Sequence, residues 1–348
     1  MLRRRTLGPL MAAASLAPLT AEAQGAPPLT RIAFGSCADQ RRPQPIWDAI
    51  LAYRPDLFVF MGDNVYGDFG SADAAPLREA YAEAAAIEPY ARLMRTVPHL
   101  AVWDDHDYGR NDAGASFPHK QVSKELFLDF FHAPATDVRR TREGIYDSRI
   151  VGPPGMRVQV ILLDIRWFKS PWKPTDQRGA PGRERYLPDP DPTKTMLGDA
   201  QWAWLATELR KPAELRLLVS SIQVLADGHG WERWGNFPLE REKLFAAIRE
   251  ARAGGVVMIS GDRHIGALYR ERPAGLYALT EATSSGLNQF YWAAREAGPN
   301  RLGELYAMPN FGVVDVDWWE RSVTLALRDT GGTVRRSTTL RLDDLAFS

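Results

Sequence analysis

The sequence predicts a layered α/β domain, and two patterns predict it. Apolar, β-branched runs alternate with amphipathic stretches along most of the chain, and the polar residues able to do chemistry fall at the carboxyl ends of those runs. Composition permits such a domain: 348 residues, 45% hydrophobic and 25% charged, can bury a sizeable core, so disorder is not the default. Lys+Arg and Asp+Glu both total 43, which leaves no net charge to steer the chain towards nucleic acid or an anionic membrane surface. No nucleic-acid-binding surface is expected.

The first element is a leader. Met1-Leu2-Arg3-Arg4-Arg5 is followed by an uncharged stretch from Thr6 to Ala21 and by Ala21-Glu22-Ala23, which together have the basic, apolar and A-x-A parts of a signal peptide over residues 1–23. Pro9 and Pro18 interrupt an apolar run already short for a bilayer, so no transmembrane segment is expected in the mature chain. Arg4-Arg5-Thr6-Leu7 resembles a twin-arginine signal. The expected destination is the periplasm or the extracellular space, reached through the twin-arginine or the general secretion machinery. The only cysteine, Cys37, then has no disulfide partner within the chain, and metal ligation is one explanation for it.

After the leader come Ile32-Ala33-Phe34, a helix-like segment from Pro45 to Tyr53, and Leu57 to Met61, a β-α-β opening. Further apolar runs lie at Leu100 to Trp103, Val158 to Leu163, Leu215 to Val219 and Val256 to Ile259, with helical patterns near 76–97, 119–132, 198–210 and 238–252. Phe168 to Met196, rich in Pro, Asp, Arg and Gly, reads as one long surface excursion, and a loop of that length points to function. Leu276 to Thr280, Phe311 to Val316, Val323 to Leu327 and Thr338 to Leu342 read as strands without helices between them, pairing antiparallel at a second sheet. With no internal repeat and no Gly/Ser-rich linker inside, residues 24–348 are expected to form one catalytic domain.

The chemistry sits at the run ends. They read Phe34-Gly35-Ser36-Cys37-Ala38-Asp39, Met61-Gly62-Asp63-Asn64-Val65-Tyr66-Gly67-Asp68, Trp103-Asp104-Asp105-His106-Asp107 and Ile259-Ser260-Gly261-Asp262-Arg263-His264. In open α/β sheets the carboxyl ends of strands form the ligand-binding edge, so topology brings the four clusters to one crevice. Asp63, Asp104, Asp105, Asp107 and Asp262 packed there would repel one another, and bound cations remove the conflict. Two metals roughly 3.5–4 Å apart would share a carboxylate, lower the pKa of a bridging water and hold a phosphoryl oxygen. Hard oxygen ligands mixed with imidazole and thiolate suit a transition metal beside a harder ion such as calcium.

The segments F-G-S-C (34–37), G-D-N-V-Y (62–66), W-D-D-H-D (103–107) and G-D-R-H (261–264), in that order, resemble the PhoD-like alkaline phosphatases, a branch of the calcineurin-like metallophosphoesterases. The resemblance implies a four-layer α/β/β/α sandwich of two mixed sheets, of the metallo-dependent phosphatase type. It also implies a centre of ferric iron and calcium, with other divalent metals as alternatives, and hydrolysis of small-molecule or lipid phosphomonoesters or phosphodiesters at alkaline pH. Carried over by position, Cys37, Asp63 and Tyr66 match iron ligands, Asp63 being the bridging carboxylate, and Asp105, Asp262 and His264 complete the metal set. His106 falls on the histidine that stabilises the transition state or protonates the leaving oxygen after attack by a metal-activated hydroxide, with Asp107 to orient its ring. Asn111 and Arg166 stand where phosphate contacts are expected, and Asn64 is a further candidate. The superfamily's opening D-x-H is absent here, with Cys37 and Asp39 in its place, and Ser220-Ser221-Ile222-Gln223 stands where a middle-strand histidine is expected. The separate N-terminal sandwich module of longer relatives is not expected.

Plainer readings compete residue by residue. Gly-Asp-Asn is good turn chemistry, a lone cysteine is most often a small buried hydrophobe, and a tyrosine is usually packing. His99 and His132 read as structural, while His229, in Asp227-Gly228-His229-Gly230-Trp231, could border the site. Two other functions remain open at this point: an exported thiol or serine esterase using Ser36 or Cys37, and a non-catalytic periplasmic metal- or phosphate-binding protein.

Overall fold

The computed structural model describes residues 22–23 and 25–347. The expected leader therefore lies outside the described residues, apart from Glu22–Ala23, which pairs parallel with Asp147–Val151. Among the described residues no helix is long and apolar enough to cross a membrane.

Two mixed sheets form the centre. One runs Val334–Arg341, Ser322–Arg328, Phe311–Asp317, Arg31–Gly35, Leu57–Met61, His99–Val102. Its last three strands are parallel, as the β-α-β opening requires, and the first three add an antiparallel arm. The other runs Glu22–Ala23, Asp147–Val151, Val158–Leu162, Leu215–Ser220, Val256–Ser260, Leu279–Ser284, Gly266–Glu271. Leu57–Met61, Val158–Leu162, Leu215–Ser220, Val256–Ser260 and Leu279–Ser284 are buried at every position, both faces of each strand being covered, which is why the first four read as largely apolar runs, whereas Leu279–Ser284 buries Thr280, Glu281 and Thr283. Leu279–Ser284 packs against Phe311–Asp317 and Ser322–Arg328, so the sheets meet face to face.

Helices cover the outer faces. Trp47 of helix Ile46–Tyr53 packs edge-on against Phe58 at 5.8 Å and against Tyr90 of helix Glu88–Thr96 at 5.1 Å, seating both helices on the six-stranded sheet. On the seven-stranded sheet, Gln159 donates to the Glu208 carbonyl of helix Gly198–Glu208, and Arg241 of helix Pro238–Glu250 donates to the Val224 carbonyl. The α/β/β/α layering expected from the resemblance is the observed one.

Several local expectations change. The helical pattern at 76–97 is two helices, Ala75–Ala86 and Glu88–Thr96, because Pro89 lacks an N–H and is tolerated only in a first turn. The strand expected at 276–280 is Leu279–Ser284, and it lies parallel to Val256–Ser260 in the seven-stranded sheet; only the three later strands make the antiparallel arm. Asp147–Val151 and Gly266–Glu271 carry polar residues that hid them from a search for apolar runs. Within the excursion, Lys173–Pro174 and Tyr186–Leu187 pair as a short antiparallel strap.

Candidate metal centre

Three of the four motif loops leave the parallel strands of the six-stranded sheet and the fourth leaves Val256–Ser260 of the other sheet, and backbone hydrogen bonds lace the first loops together. Cys37 donates to the Gly62 carbonyl at 3.3 Å, Ala38 to that of Asp63 at 2.9 Å, and Gln289 to that of Cys37 at 3.1 Å. Such short loops must turn sharply to aim side chains inward, and the turn is made by non-glycine residues in the left-handed region: Cys37 at φ 64°, Asp63 at 47°, Asp262 at 66° and His264 at 56°. Left-handed side-chain-bearing residues persist where surrounding structure over-determines them, and they cluster at functional sites. Gly62, at φ 99°, is needed for a second reason: a Cβ there would lie 2.5 Å from the Cβ of Asp104.

Cys37 Sγ lies 3.5 Å from Oδ2 of Asp63, and the Tyr66 hydroxyl lies 3.2 Å from that oxygen and 3.2 Å from Nε2 of His264. Ligand atoms of Cys37, Asp63 and His264 fall within 4.8 Å of one another, as do those of Asp63, Asp105 and His106, those of Asp104, Asp105 and Asp262, and those of Asp105, Asp112 and Glu232. The structure thus brings together every residue expected as a ligand.

Electrostatics favour a cation here. Burial and the charge of Asp105 push Asp63 well above the usual carboxylate range, and burial with Glu232 and Asp104 does the same to Asp262. Burial and Asp63 push the Cys37 thiol up, whereas burial and Arg263 lower His264 to about 4, keeping its imidazole neutral and able to ligate. Oδ2 of Asp104 and Oδ1 of Asp105 are buried without a hydrogen-bond partner. Buried carboxylate oxygens left unpaired beside like charges are stable when a metal completes them, so the donor set fits.

Three expected roles are corrected. Asp107 does not touch the His106 ring: its carboxylate accepts from the backbone of Asp104 at 2.6 Å and from Asn64, capping the short helix Asp105–Tyr108. The partner of His106 is Asp68, with Nδ1 and Oδ1 2.5 Å apart. Asn64 is buried, its amide held by Asp107 and the Val102 carbonyl, so it does not reach a substrate. Arg166 is buried as well, donating to Asp104 at 2.6 Å and in a two-pronged pair to Glu232 at 2.8 Å, which leaves its fork no free edge for phosphate. Asn111 does line the cleft. His229 is shut behind it, bonded to Gln223 and to the Trp231 N–H.

The cleft holds about 410 Å³ and is lined by Asp63, Asp105, His106, Asp262 and His264 together with Arg42, Asn111, Asp112, Arg185, Trp231, Glu232, Arg263 and Tyr291. Arg263 stood inside the G-D-R-H segment, but Asp112, Glu232, Arg42 and Arg185 escaped the sequence reading because none lies at the immediate end of an apolar run. Asp112 is fixed from the strap, where Arg185 donates to its Oδ2 at 2.8 Å and Tyr186 bonds the same oxygen. Asp68, by contrast, closes the 62–68 cluster and was visible as an acidic residue. Burial opposes protonation of His106, yet the neighbouring Asp105, Asp63 and Asp68 raise it to about 11.

Residues 32–297 match the family described as PhoD-like phosphatase. The curated relative Alkaline phosphatase D of Bacillus subtilis (strain 168) is 24% identical over 239 residues, covering 62% of this chain and 40% of the relative, so the chain spans well under half of that protein's length. Among solved structures, PhoD superposes with a TM-score of 0.68 at 16% identity, over 95% of this chain and 72% of that one. Purple acid phosphatase PPD1 from yellow lupin (Lupinus luteus) seeds gives 0.59 at 14% identity, over 95% and 56%. The GAP50 anchor of the inner membrane complex of Plasmodium gives 0.55 at 11% identity, over 90% and 89%. At these identities the structural likenesses speak for the fold alone.

Proposed function

The chain belongs to the PhoD-like phosphatase family, and from that premise we propose that residues 24–348 act as one metal-dependent phosphoester hydrolase, exported by the leader over residues 1–23. The observation that carries the reading is the convergence of buried carboxylate oxygens that lack a hydrogen-bond partner with Cys37, Tyr66 and His264 around Asp63. Cys37, Asp63, Tyr66 and His264 would hold one ion, and their thiol, phenol and imidazole suit ferric iron; Asp105 and Asp262, with Asp63 between the positions, would hold a harder ion such as calcium. Bound there, the metals supply Lewis acidity, lowering the pKa of water towards neutral and offsetting charge on the phosphoryl group.

The protein's own groups do the rest. His106 has Nδ1 engaged by Asp68, so Nε2 is the nitrogen available to the substrate, and the protonated ring donates to the departing oxygen. Arg185 and Arg42, both lining the cleft, take the phosphate-orienting role that Arg166 cannot fill. Small-molecule or lipid phosphoesters are the substrates this arrangement serves. The esterase reading finds no support: Ser36 bonds to Cys37 and the Ser284 carbonyl, Cys37 to Asp63 and Ser285, and among the described residues neither hydrogen-bonds a histidine that could serve as its base.

The test is hydrolysis of p-nitrophenyl phosphate and bis-p-nitrophenyl phosphate at alkaline pH by the mature protein and by Asp63→Asn, with metal content measured on both. Iron and calcium with turnover, lost together in the variant, support the reading. Undiminished activity in metal-free protein overturns it.

A further inference from the structure

Past Trp231 and Tyr291 the catalytic cleft does not end. A second cavity of about 440 Å³ shares Arg185, Trp231 and Tyr291 with it, so these three residues form a threshold between two chambers of one groove. The outer chamber is also lined by Arg178, Arg295, Glu184 and Glu296. Of the chamber's carboxylates, Glu184 accepts from the backbone N–H groups of Gly182 and Gly230, and Glu296 pairs with Arg263 through Oε2, its Oε1 being buried without a hydrogen-bond partner. Its outer arginines are not matched in the same way. Arg178 and Arg295 are exposed and make no ion pair among the described residues, Arg295 donating to the main-chain carbonyls of Trp292 and Ala294. At the threshold Arg185 lies 5.3 Å from the centroid of the Trp231 ring and is steadied by Asp112.

The groove is therefore acidic where metals would sit and basic beyond the threshold. Guanidinium groups facing a cavity without carboxylate partners attract an anion, and their planar fork suits phosphate. Resting on the phosphoester-hydrolase reading, we propose that the outer chamber binds a second phosphate group of the substrate. The preferred substrates are then phosphoesters that carry another phosphate beyond the one being cut, with Arg178 and Arg295 recognising it and Arg185 standing between the two.

The experiment compares release of phosphate from glucose 1-phosphate and glucose 1,6-bisphosphate by the metal-loaded wild-type protein and the Arg178→Gln/Arg295→Gln double variant. Both side chains are exposed, so the variant is expected to fold. Wild-type kcat/KM should favour the bisphosphate about tenfold, mainly through KM, and the variant should lose that preference while its monophosphate value stays within about twofold. Equal loss on both sugars, or no loss on either, overturns the proposal. If the wild-type protein cleaves neither sugar, the hydrolase reading still stands or falls on the p-nitrophenyl esters, and calorimetry with the same two sugars decides the subsite: tighter binding of the bisphosphate that the variant loses upholds it, and equal binding overturns it.

Discussion

Nδ1 of His106 lies 2.5 Å from Oδ1 of Asp68, joining the loop after strand Leu57–Met61 to the helix after strand His99–Val102. This contact decides which imidazole nitrogen is left for the substrate, and the Asp68 charge helps to raise the His106 pKa. Asp68→Asn should lower kcat about tenfold, a small part of what a proton donor contributes, with metal content and KM little changed. Removing one acidic neighbour lowers the His106 pKa, so its acid form is lost at lower pH and the alkaline limb of the kcat profile moves towards neutral. An unmoved limb would remove His106 as the proton donor.

Metal removal should weaken the protein most at alkaline pH. Asp63 and Asp262 have pKa values raised by burial and by their acidic neighbours, so the metal-free folded chain keeps protons that the unfolded chain releases from about pH 4 upward. A raised carboxyl contributes stability below that pH and loses it as pH climbs towards the folded pKa. Thermal scans should show a larger fall in Tm on chelation at pH 8 than at pH 5; an equal fall would mean that these carboxylates do not meet the ion.

Arg166 and Arg185 should separate cleanly. Arg166→Met leaves Asp104 and Glu232 buried without their cation, and breaking a buried pair costs about 3–5 kcal/mol, to be read from the urea midpoint. Arg185→Gln, on the half-exposed strap, should leave stability within about 1 kcal/mol and raise KM for p-nitrophenyl phosphate several-fold. A variant of Arg166 that is stable but defective only in KM would reinstate it as a phosphate ligand.

Gly62→Ala places a Cβ 2.5 Å from that of Asp104 at a backbone φ of 99°. The collision pushes the Asp63 and Asp104 loops apart, with an expected loss of about 2–4 kcal/mol and of metal content together. Retention of both would show that the loops can give way.

His229 supplies a pH test away from the proposed ions. Nε2 lies 3.0 Å from Oε1 of Gln223 and Nδ1 accepts the Trp231 N–H at 3.2 Å, a pair of bonds that only the neutral ring satisfies. Burial, then Arg263 and Arg233, hold its pKa well below 6.5. The unfolded chain therefore takes up a proton below about pH 6.5 that the folded chain refuses, and stability declines as pH falls through that value, by at most about 1.4 kcal/mol per pH unit. His229→Gln in metal-loaded protein should flatten that decline between pH 6.5 and 5; matching slopes would count against it.

The centre was legible in the sequence because its ligands obey a local rule: Cys37, Asp63, Asp105 and Asp262 each follow a short apolar strand, the first three on parallel neighbours that end together and the fourth on the facing sheet. The same rule misled at Arg166, which also follows a strand. Its burial depends on Glu232, 66 residues further on and deep in the loop after strand Leu215–Ser220, far from the strand end where ligands were sought. Arg185 was illegible for a related reason, since only the folding of the strap onto Asp112 brings it to the cleft. Periodicity reports what faces a core, and it is silent about which of two charges from distant loops will consume the other.

The left-handed turns at Cys37, Asp63, Asp262 and His264 set stability against function at the same four positions. A left-handed side-chain-bearing residue costs about 1–2 kcal/mol where glycine would cost almost none, and two of these four also bring crowded negative charge. A sister chain with glycine at all four would fold more tightly and catalyse nothing. Drift towards sturdier sequences would thus erase this centre first, and its survival in any descendant would record selection for the reaction over selection for the fold.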